Sequence, residues 1–148
     1  MRILIDGDGC PVTYVTLEIA RENQIETIIF CDTSHVIEYP MVQTILVGKG
    51  SDAVDFRLVN EVQKEDIVVT QDYGLAAMVL AKGGYPIHQN GFVYTSENID
   101  TLLWKRHVGK EIRRKGGRTK GPSKRTKEQD LAYMTTLRQL IDKIKSKA

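Results

Sequence analysis

Short apolar runs alternate with helical patterns along the first two thirds of the chain. Runs rich in β-branched residues predict four buried strands, at residues 3–5, 27–31, 44–47 and 66–70. Apolar residues spaced three or four apart predict helices between and after them, at Val12 to Ile19, Val54 to Val62 and Tyr73 to Lys82. Strands that alternate with helices are typical of a mostly parallel sheet flanked by helices, so the sequence predicts an α/β fold.

The last third of the chain has a different pattern. Asn90-Gly91, a strong turn dipeptide, separates two short strand candidates at 86–88 and 92–94. Asn98 is expected to cap a helix that reaches about Lys115. A final helix carries an apolar face, formed by Leu131, Met134, Leu137, Ile141 and Ile144. We expect both C-terminal helices to pack on the same unit, so that residues 1–148 form a single domain.

The charge is divided unevenly at Trp104. Residues 1–104 hold 6 basic and 15 acidic side chains, a net charge of −9, whereas residues 105–148 hold 15 basic and 4 acidic ones, a net charge of +11. A basic segment of this kind suggests a nucleic-acid or membrane partner, and the basic loop at 118–127 has no apolar face of its own, which favours nucleic acid. The expected phosphate contacts are Lys105, Arg106, Arg113, Arg114, Arg118, Lys120, Lys124 and Arg125.

Composition excludes several classes of protein. A chain with 41% hydrophobic and 27% charged residues is typical of a globular domain rather than of a disordered one. The longest apolar run, Leu75 to Ala81, is too short to cross a bilayer, and Asp6 interrupts the apolar start too early for a signal peptide. Two cysteines, Cys10 and Cys31, do not make a disulfide scaffold. We therefore expect a cytoplasmic protein with reduced thiols and no membrane partner.

Carboxylates repeatedly follow the predicted strands. Asp6 and Asp8 follow the first strand, Asp52 and Asp55 follow the third, and Asp72 follows the fourth. In a parallel sheet these positions meet at one edge, where ligands of open α/β sheets bind. Oxygen ligands without a cysteine or histidine pair favour Mg²⁺ or Mn²⁺, and such ions support phosphodiester cleavage. The acids are thus candidate metal ligands and catalytic residues.

Structural explanations compete with this hypothesis. Asp52 and Asp72 each precede a predicted helix and could simply cap it, and Asp55 suits the first turn of a helix. Cys10 is expected to be a small buried residue rather than a reactive thiol, and the three histidines have no ligand spacing. Trp104 is expected to pack a helix against the sheet rather than to stack on a base.

Three segments carry a resemblance to a known family. Residues 5–12 (IDGDGCPV), 51–55 (SDAVD) and 69–76 (VTQDYGLA), with the basic stretch 113–122, resemble the YaiI/YqxD family of uncharacterised bacterial proteins, which is grouped with PIN-like domains. The resemblance covers essentially the whole chain. It implies a PIN-like three-layer α/β architecture and suggests metal-dependent ribonuclease activity. Glycine at positions 7 and 9, where the family commonly has alanine, implies a looser loop.

The resemblance also assigns roles to the acids. Asp6 and Asp72 match acids of PIN-like nucleases, whereas Asp8, Asp52 and Asp55 match acids of the family itself. The leading hypothesis is a Mg²⁺- or Mn²⁺-dependent phosphodiesterase that acts on RNA, with the basic segment holding the substrate backbone.

Two alternatives remain open. One is a nucleic-acid-binding module without catalysis. The other is a haloacid-dehalogenase-like phosphatase, in which Asp6 would be a covalent nucleophile and Asp8 the acid and base. The pattern does not predict an oligomeric state.

Overall fold

The computed structural model of the chain describes residues 1–32, 39, 42–48, 53–117 and 124–147. In these ranges it contains five strands and five helices. The strands are β1 (Arg2–Asp6), β2 (Glu26–Asp32), β3 (Gln43–Val47), β4 (Ile67–Val69) and β5 (Tyr85–Ile87). The helices are α1 (Thr13–Glu22), α2 (Ala53–Glu61), α3 (Tyr73–Ala81), α4 (Ser96–Arg114) and α5 (Lys127–Ser146).

The five strands form one parallel sheet in the order β3-β2-β1-β4-β5. The central strand is β1, and its Ile5 lies beside Ile29 of β2 and Val69 of β4. The prediction of an α/β fold with a mostly parallel sheet is therefore confirmed. Because the strands are parallel, their C-terminal ends lie along one side of the sheet, which we call the carboxyl edge.

Helices cover both faces of the sheet, which gives three layers. Ile3 and Ile5 of β1 share an apolar cluster with α1 and α5, whereas Leu4 between them belongs to a cluster with α2 and α3. This is the alternation that a strand buried on both faces produces. The remaining helix, α4, packs outside α3 in a third cluster that includes Tyr94 and Ile99.

The start of α4 differs from the prediction. The helix begins at Ser96, and its N-cap is Thr95 rather than Asn98. The Thr95 hydroxyl accepts a hydrogen bond from the Asn98 N–H at 3.1 Å, and the Asn98 side chain accepts one from the Thr95 N–H at 2.9 Å. Asparagine can act either as the cap or as the partner of the cap three residues later. Here Thr95 is the cap and Asn98 is its partner.

The predicted turn at Asn90-Gly91 is confirmed, but only one of its two flanking strands forms. The second candidate strand contributes a single antiparallel bridge between Val93 and Ile87. Gly91 has a φ of 93°, and a Cβ atom there would lie 2.6 Å from the carbonyl carbon of Ala132 on α5. Glycine is required at this position both by the backbone conformation and by the close approach of α5.

The final helix shares its core with the sheet. Tyr133, Leu137 and Ile141 of α5 are fully buried in the same cluster as Ile3 and Ile5 of β1. Among the described residues, no helix combines the length and the apolar character that crossing a membrane requires. The single-domain interpretation of residues 1–148 stays a prediction that this packing favours.

Replacing Leu137 with alanine tests whether α5 belongs to the same folding unit. The buried side chain leaves a cavity, so Leu137→Ala should lower the free energy of unfolding by about 2–5 kcal/mol. The chain should still unfold in one step when urea unfolding is followed by far-UV circular dichroism and tyrosine fluorescence. Leu131→Ala, on the same helix where the side chain is 62% exposed, should change stability by less than about 0.5 kcal/mol. Separate unfolding of α5 would contradict the single-domain interpretation.

Candidate functional site

Asp6 lies at the carboxyl edge, beside the residue that follows β4. Because Ile5 pairs with Val69, the next residues along the two strands, Asp6 and Thr70, come side by side. The Thr70 hydroxyl donates a hydrogen bond to Asp6 Oδ2 at 2.9 Å. Since Thr70 is only 3% exposed, the Asp6 carboxyl is oriented by a buried partner.

Thr70 also connects Asp6 to two other parts of the edge. Its hydroxyl oxygen accepts a hydrogen bond from the Asp72 N–H at 3.0 Å, and its carbonyl oxygen accepts one from the Tyr94 hydroxyl at 3.1 Å. Tyr94 is buried, and its ring meets Tyr73 edge to face at 5.9 Å. The sequence analysis missed both Thr70 and Tyr94. Strand register could have indicated Thr70, whereas Tyr94 is brought in only by tertiary packing.

Burial and neighbouring acids strongly affect the ionisation of Asp6. Desolvation, together with the negative charges of Asp55, Asp8 and Asp72, raises the pKa of its carboxyl to about 7. The hydrogen bond from Thr70 acts in the opposite direction and lowers the pKa. The charges of Asp8, Asp55 and Asp72 are therefore close enough to Asp6 to affect its ionisation. Burial and like charges disfavour the ionised form of such a carboxyl, whereas a nearby cation favours it.

Asp72 combines two of the roles that the sequence left open. As the N-cap of α3, it accepts a hydrogen bond from the Leu75 N–H through Oδ1 at 3.1 Å. The same Oδ1 lies 3.5 Å from Nη1 of Arg106 on α4. The capping interpretation is therefore confirmed for Asp72, and the side chain nevertheless stands at the carboxyl edge close to Asp6.

The loop after β1 is held tightly against β2. The Gly7 N–H donates to the Phe30 carbonyl at 2.7 Å, and Asp8 Oδ1 accepts a hydrogen bond from the Asp32 N–H at 3.3 Å. A Cβ atom at Gly7 would lie 2.9 Å from the Phe30 carbonyl oxygen. The expectation of a looser loop is wrong at this position, because glycine here permits closer contact with β2.

The two acids associated with β3 have different outcomes. Asp55 lies in the first turn of α2, where its charge suits the positive end of the helix dipole, and it contributes to the raised pKa of Asp6. Asp52 lies outside the described residues, as do Arg118 and Lys120 of the basic segment. Their predicted roles stay predictions.

The space between the acids is small. A recess of about 10 Å³, roughly the room for one water molecule, is lined by Asp6, Asp8, Cys10, Val69, Thr70, Gln71 and Gln89. Within the described ranges, no three histidine, cysteine or acidic side chains stand close enough together to hold a metal ion. The oxygen donors fit Mg²⁺ or Mn²⁺ by their chemistry, but a complete set of ligands is not preformed among the residues described. A larger cavity of 730 Å³ lies away from the acids, against α1 and the start of β2.

Four of the predicted nucleic-acid contacts lie on α4. The side chains of Lys105, Arg106, Arg113 and Arg114 are all exposed. Arg106 reaches the carboxyl edge at Asp72, and Arg114 pairs with Glu111 at 2.6 Å. We call residues 105–114 the cationic half of α4. It begins directly beside Asp72.

Arg125 has a different role from the rest of the basic segment. Its guanidinium donates to Asp130 at 2.6 Å, to the Asn90 side chain at 2.9 Å and to the Gln89 carbonyl at 2.6 Å. These bonds tie the start of α5 to the turn after β5, and they occupy all three nitrogens of the guanidinium. The neighbouring Lys124 is exposed. We interpret Arg125 as a structural tie more readily than as a phosphate contact.

The remaining sequence candidates have mixed outcomes. Burial raises the pKa of the Cys10 thiol, which agrees with the unreactive interpretation. His88 is buried, stacks on Phe92 and accepts a hydrogen bond from the Asn90 N–H, so it is a core histidine. The packing expected for Trp104 is wrong, since this side chain is 65% exposed.

The fold and the site define an α/β domain with carboxylates gathered at the carboxyl edge of a parallel sheet. Within that class, the chain belongs to a family described as "Uncharacterized BCR, YaiI/YqxD family", whose model matches residues 4–143. The UPF0178 protein of Exiguobacterium sibiricum is 52% identical over 141 residues, which cover 95% of this chain and 96% of that relative. The UPF0178 protein of Clostridium kluyveri is 50% identical over 141 residues, with 95% and 93% covered. The predicted family membership is confirmed.

One solved structure shows a distant likeness. A crystal structure of a point variant of Rae1 (YacP) from Bacillus subtilis matches with a TM-score of 0.42 and 14% sequence identity, over 100% of both chains. A likeness of this degree carries no conclusion about the site or the activity.

Replacing Asp6 with asparagine tests the burial of its carboxyl in metal-free protein. With a pKa of about 7 in the folded state and 3.8 in the unfolded state, wild-type stability should fall as pH rises from about 4 to 7. Asp6→Asn lacks this loss, so it should be more stable than the wild type at pH 8.5 by up to about 4 kcal/mol, at about 1.4 kcal/mol per pKa unit. At pH 4 the gain should vanish. Urea unfolding in EDTA at both pH values measures the difference.

Asp100→Asn is the matched control for this prediction. Asp100 is an exposed carboxylate on α4, so its replacement should leave the pH dependence of stability as in the wild type. An equal stability gain for Asp6→Asn at both pH values would contradict the raised pKa.

Proposed function

We propose that the chain is a Mg²⁺- or Mn²⁺-dependent phosphodiesterase that cleaves RNA at the carboxyl edge. The observation that carries this proposal is the desolvated Asp6 carboxyl, surrounded by the charges of Asp8, Asp55 and Asp72 and flanked by the cationic half of α4. Acids grouped in this way repel one another and favour a bound cation. The PIN-like resemblance of the family supports the same class of chemistry.

The acids at the edge are the proposed metal ligands. Asp6 and Asp72 would bind the ion, with Asp8 and Asp55 as further ligands or as groups that position water. Asp52 joins this set on the sequence pattern alone. A divalent ion bound there supplies Lewis acidity toward a phosphoryl oxygen and lowers the pKa of water.

Other residues of the chain would orient the reacting groups. The Thr70 hydroxyl donates a hydrogen bond to Oδ2 of Asp6, which fixes the rotation of the carboxyl. The other oxygen, Oδ1, takes no part in this bond. Arg106, beside Asp72, offers a positive charge at the border between the acids and the exposed part of α4. Lys105, Arg113 and Lys124 are exposed and suited to contacts with the substrate backbone, which are sensitive to salt.

A nucleic-acid-binding module without cleavage is the second candidate function. Two observations favour it: the described residues contain no preformed group of three metal ligands, and Asp72 is already engaged as a helix cap and an ion-pair partner. In this case the acids would serve the structure, and the basic segment alone would bind the nucleic acid.

Cleavage of a fluorescently labelled RNA in the presence of Mn²⁺ distinguishes the candidates. The wild type should cleave, EDTA should abolish cleavage, and Asp6→Asn should lower the rate by about 100-fold or more because it removes a charged metal ligand. Asp100→Asn should cleave like the wild type.

Each other result has a defined meaning. Equal rates for the wild type and Asp6→Asn would overturn the proposed site. Salt-sensitive RNA binding without cleavage under any metal would establish the binding module. A covalent aspartyl adduct with beryllium fluoride would instead indicate the phosphatase considered from the sequence.

A further inference from the structure

One stripe along α4 changes from apolar to cationic partway along the helix. Its members lie three, four or seven residues from one another along the helix, with one adjacent pair, and therefore share one face. The stripe consists of Ile99, Leu102, Leu103, Arg106, Lys110 and Arg113. The three apolar members pack in the cluster that α4 forms with α3, and the three cationic members follow without interruption.

The cationic half of this stripe, from Arg106 to Arg113, begins where α4 meets the start of α3. The apolar half of α4 packs along α3, and Arg106 meets Asp72, the residue that caps the start of α3. Residues 107–114 continue the helix past that point. At 1.5 Å per residue, they extend the helix about 12 Å past Arg106.

Arg106, Lys110 and Arg113 form a row of positive charges along α4 that begins at Asp72. Lys110 follows Arg106 by one turn, about 6 Å along the helix axis, and Arg113 follows by about 10.5 Å. All three side chains are exposed. A row of this kind tracks a polyanionic backbone, and one end of the row lies at the candidate site.

The contact between Arg106 and Asp72 can be exchanged at little cost. The two charged atoms lie 3.5 Å apart, and the side chains are 43% and 33% exposed. Surface ion pairs of this kind contribute little to stability. Arg106 therefore compensates the negative edge in the ligand-free protein and can be displaced by a stronger cation.

The shape of the site bears on the form of nucleic acid that could reach it. The recess beside Asp6 has a volume of only about 10 Å³, which is too small to admit a phosphate, so a strand would contact the carboxyl edge from outside. A flexible single strand can place successive phosphates along the row of cations and bend one of them toward Asp72, which a rigid duplex does less readily.

We propose that single-stranded nucleic acid binds along the row Arg106, Lys110 and Arg113, and that Arg106 exchanges Asp72 for a substrate phosphate when a divalent cation enters the edge. This inference rests on the proposed function of the carboxyl edge. In it, Arg106 is a positioning residue that links metal binding to strand binding.

The exchange predicts opposite effects of one substitution on two ligands. Arg106→Gln removes a competing cation from Asp72, so the affinity for Mn²⁺ alone, measured by calorimetry, should rise several-fold. The affinity for a labelled, hydrolysis-resistant single-stranded RNA analogue, measured by fluorescence anisotropy at saturating Mn²⁺, should fall about 3- to 10-fold, and the salt dependence should weaken by about one phosphate contact. In EDTA, where Arg106 stays with Asp72, the fall should be smaller. Arg106→Lys should restore most of the strand binding.

Two further variants serve as controls. Lys110→Gln should weaken strand binding but leave the affinity for Mn²⁺ unchanged, since Lys110 lies a turn away from Asp72. Arg138→Gln removes the same charge from an ion pair of the same length, 3.5 Å to Glu22 on the opposite face of the sheet. It should change neither affinity, which separates a local effect from a change in net charge.

Three outcomes would overturn the inference. They are equal or tighter binding of a duplex of the same sequence, a fall or no change in Mn²⁺ affinity for Arg106→Gln, and no Mn²⁺ binding by the wild type. Because none of these measurements uses cleavage, they are independent of the activity assay. The wild type could prefer single strands, and Arg106→Gln could show a higher affinity for Mn²⁺ and a lower affinity for RNA, without any cleavage. That result would support this inference and overturn the proposed phosphodiesterase activity.

Discussion

The parallel pairing of β1 with β4 determines the arrangement of the carboxyl edge. This pairing places the side chain after one strand beside the side chain after the other, so Asp6 meets the hydroxyl of Thr70 and, two residues on, the capping Asp72. On the other side of β1, the short Gly7 N–H bond to Phe30 fixes the loop that leads to the second acid. Parallel pairing on both sides of β1 therefore places Asp6, Asp8 and Asp72 at the same edge of the sheet.

Local pattern was enough to predict the strands and the acids that follow them. Asp6 comes directly after one apolar run and Asp72 comes two residues past Thr70, at the end of another, so their place at one edge follows from parallel pairing alone. Arg106 and Tyr94 reach the site through the packing of α4, which no local pattern encodes. The error at Trp104 has the same origin, because the face of α4 that packs is set by its contact with α3.

The basic segment is a single feature in the charge distribution of the sequence. In the structure its cations have different neighbours and different roles. The middle of α4 places Arg106 against Asp72, whereas Arg114 is paired along the helix with Glu111. Arg125 is consumed by contacts that hold α5 to the turn after β5. A net charge therefore indicates the kind of partner, but the availability of each cation depends on its neighbours within the fold.

The buried Tyr94 hydroxyl bond to the Thr70 carbonyl has a mechanical consequence. Tyr94 immediately precedes the Thr95 cap that starts α4, and Thr70 holds the Asp6 carboxyl. The helix that carries the cations and the hydroxyl that orients the buried acid thus share one anchor. A tilt of α4 would be transmitted to Asp6 through two hydrogen bonds. Substitutions of Tyr94 would therefore change both the position of α4 and the orientation of the Asp6 carboxyl.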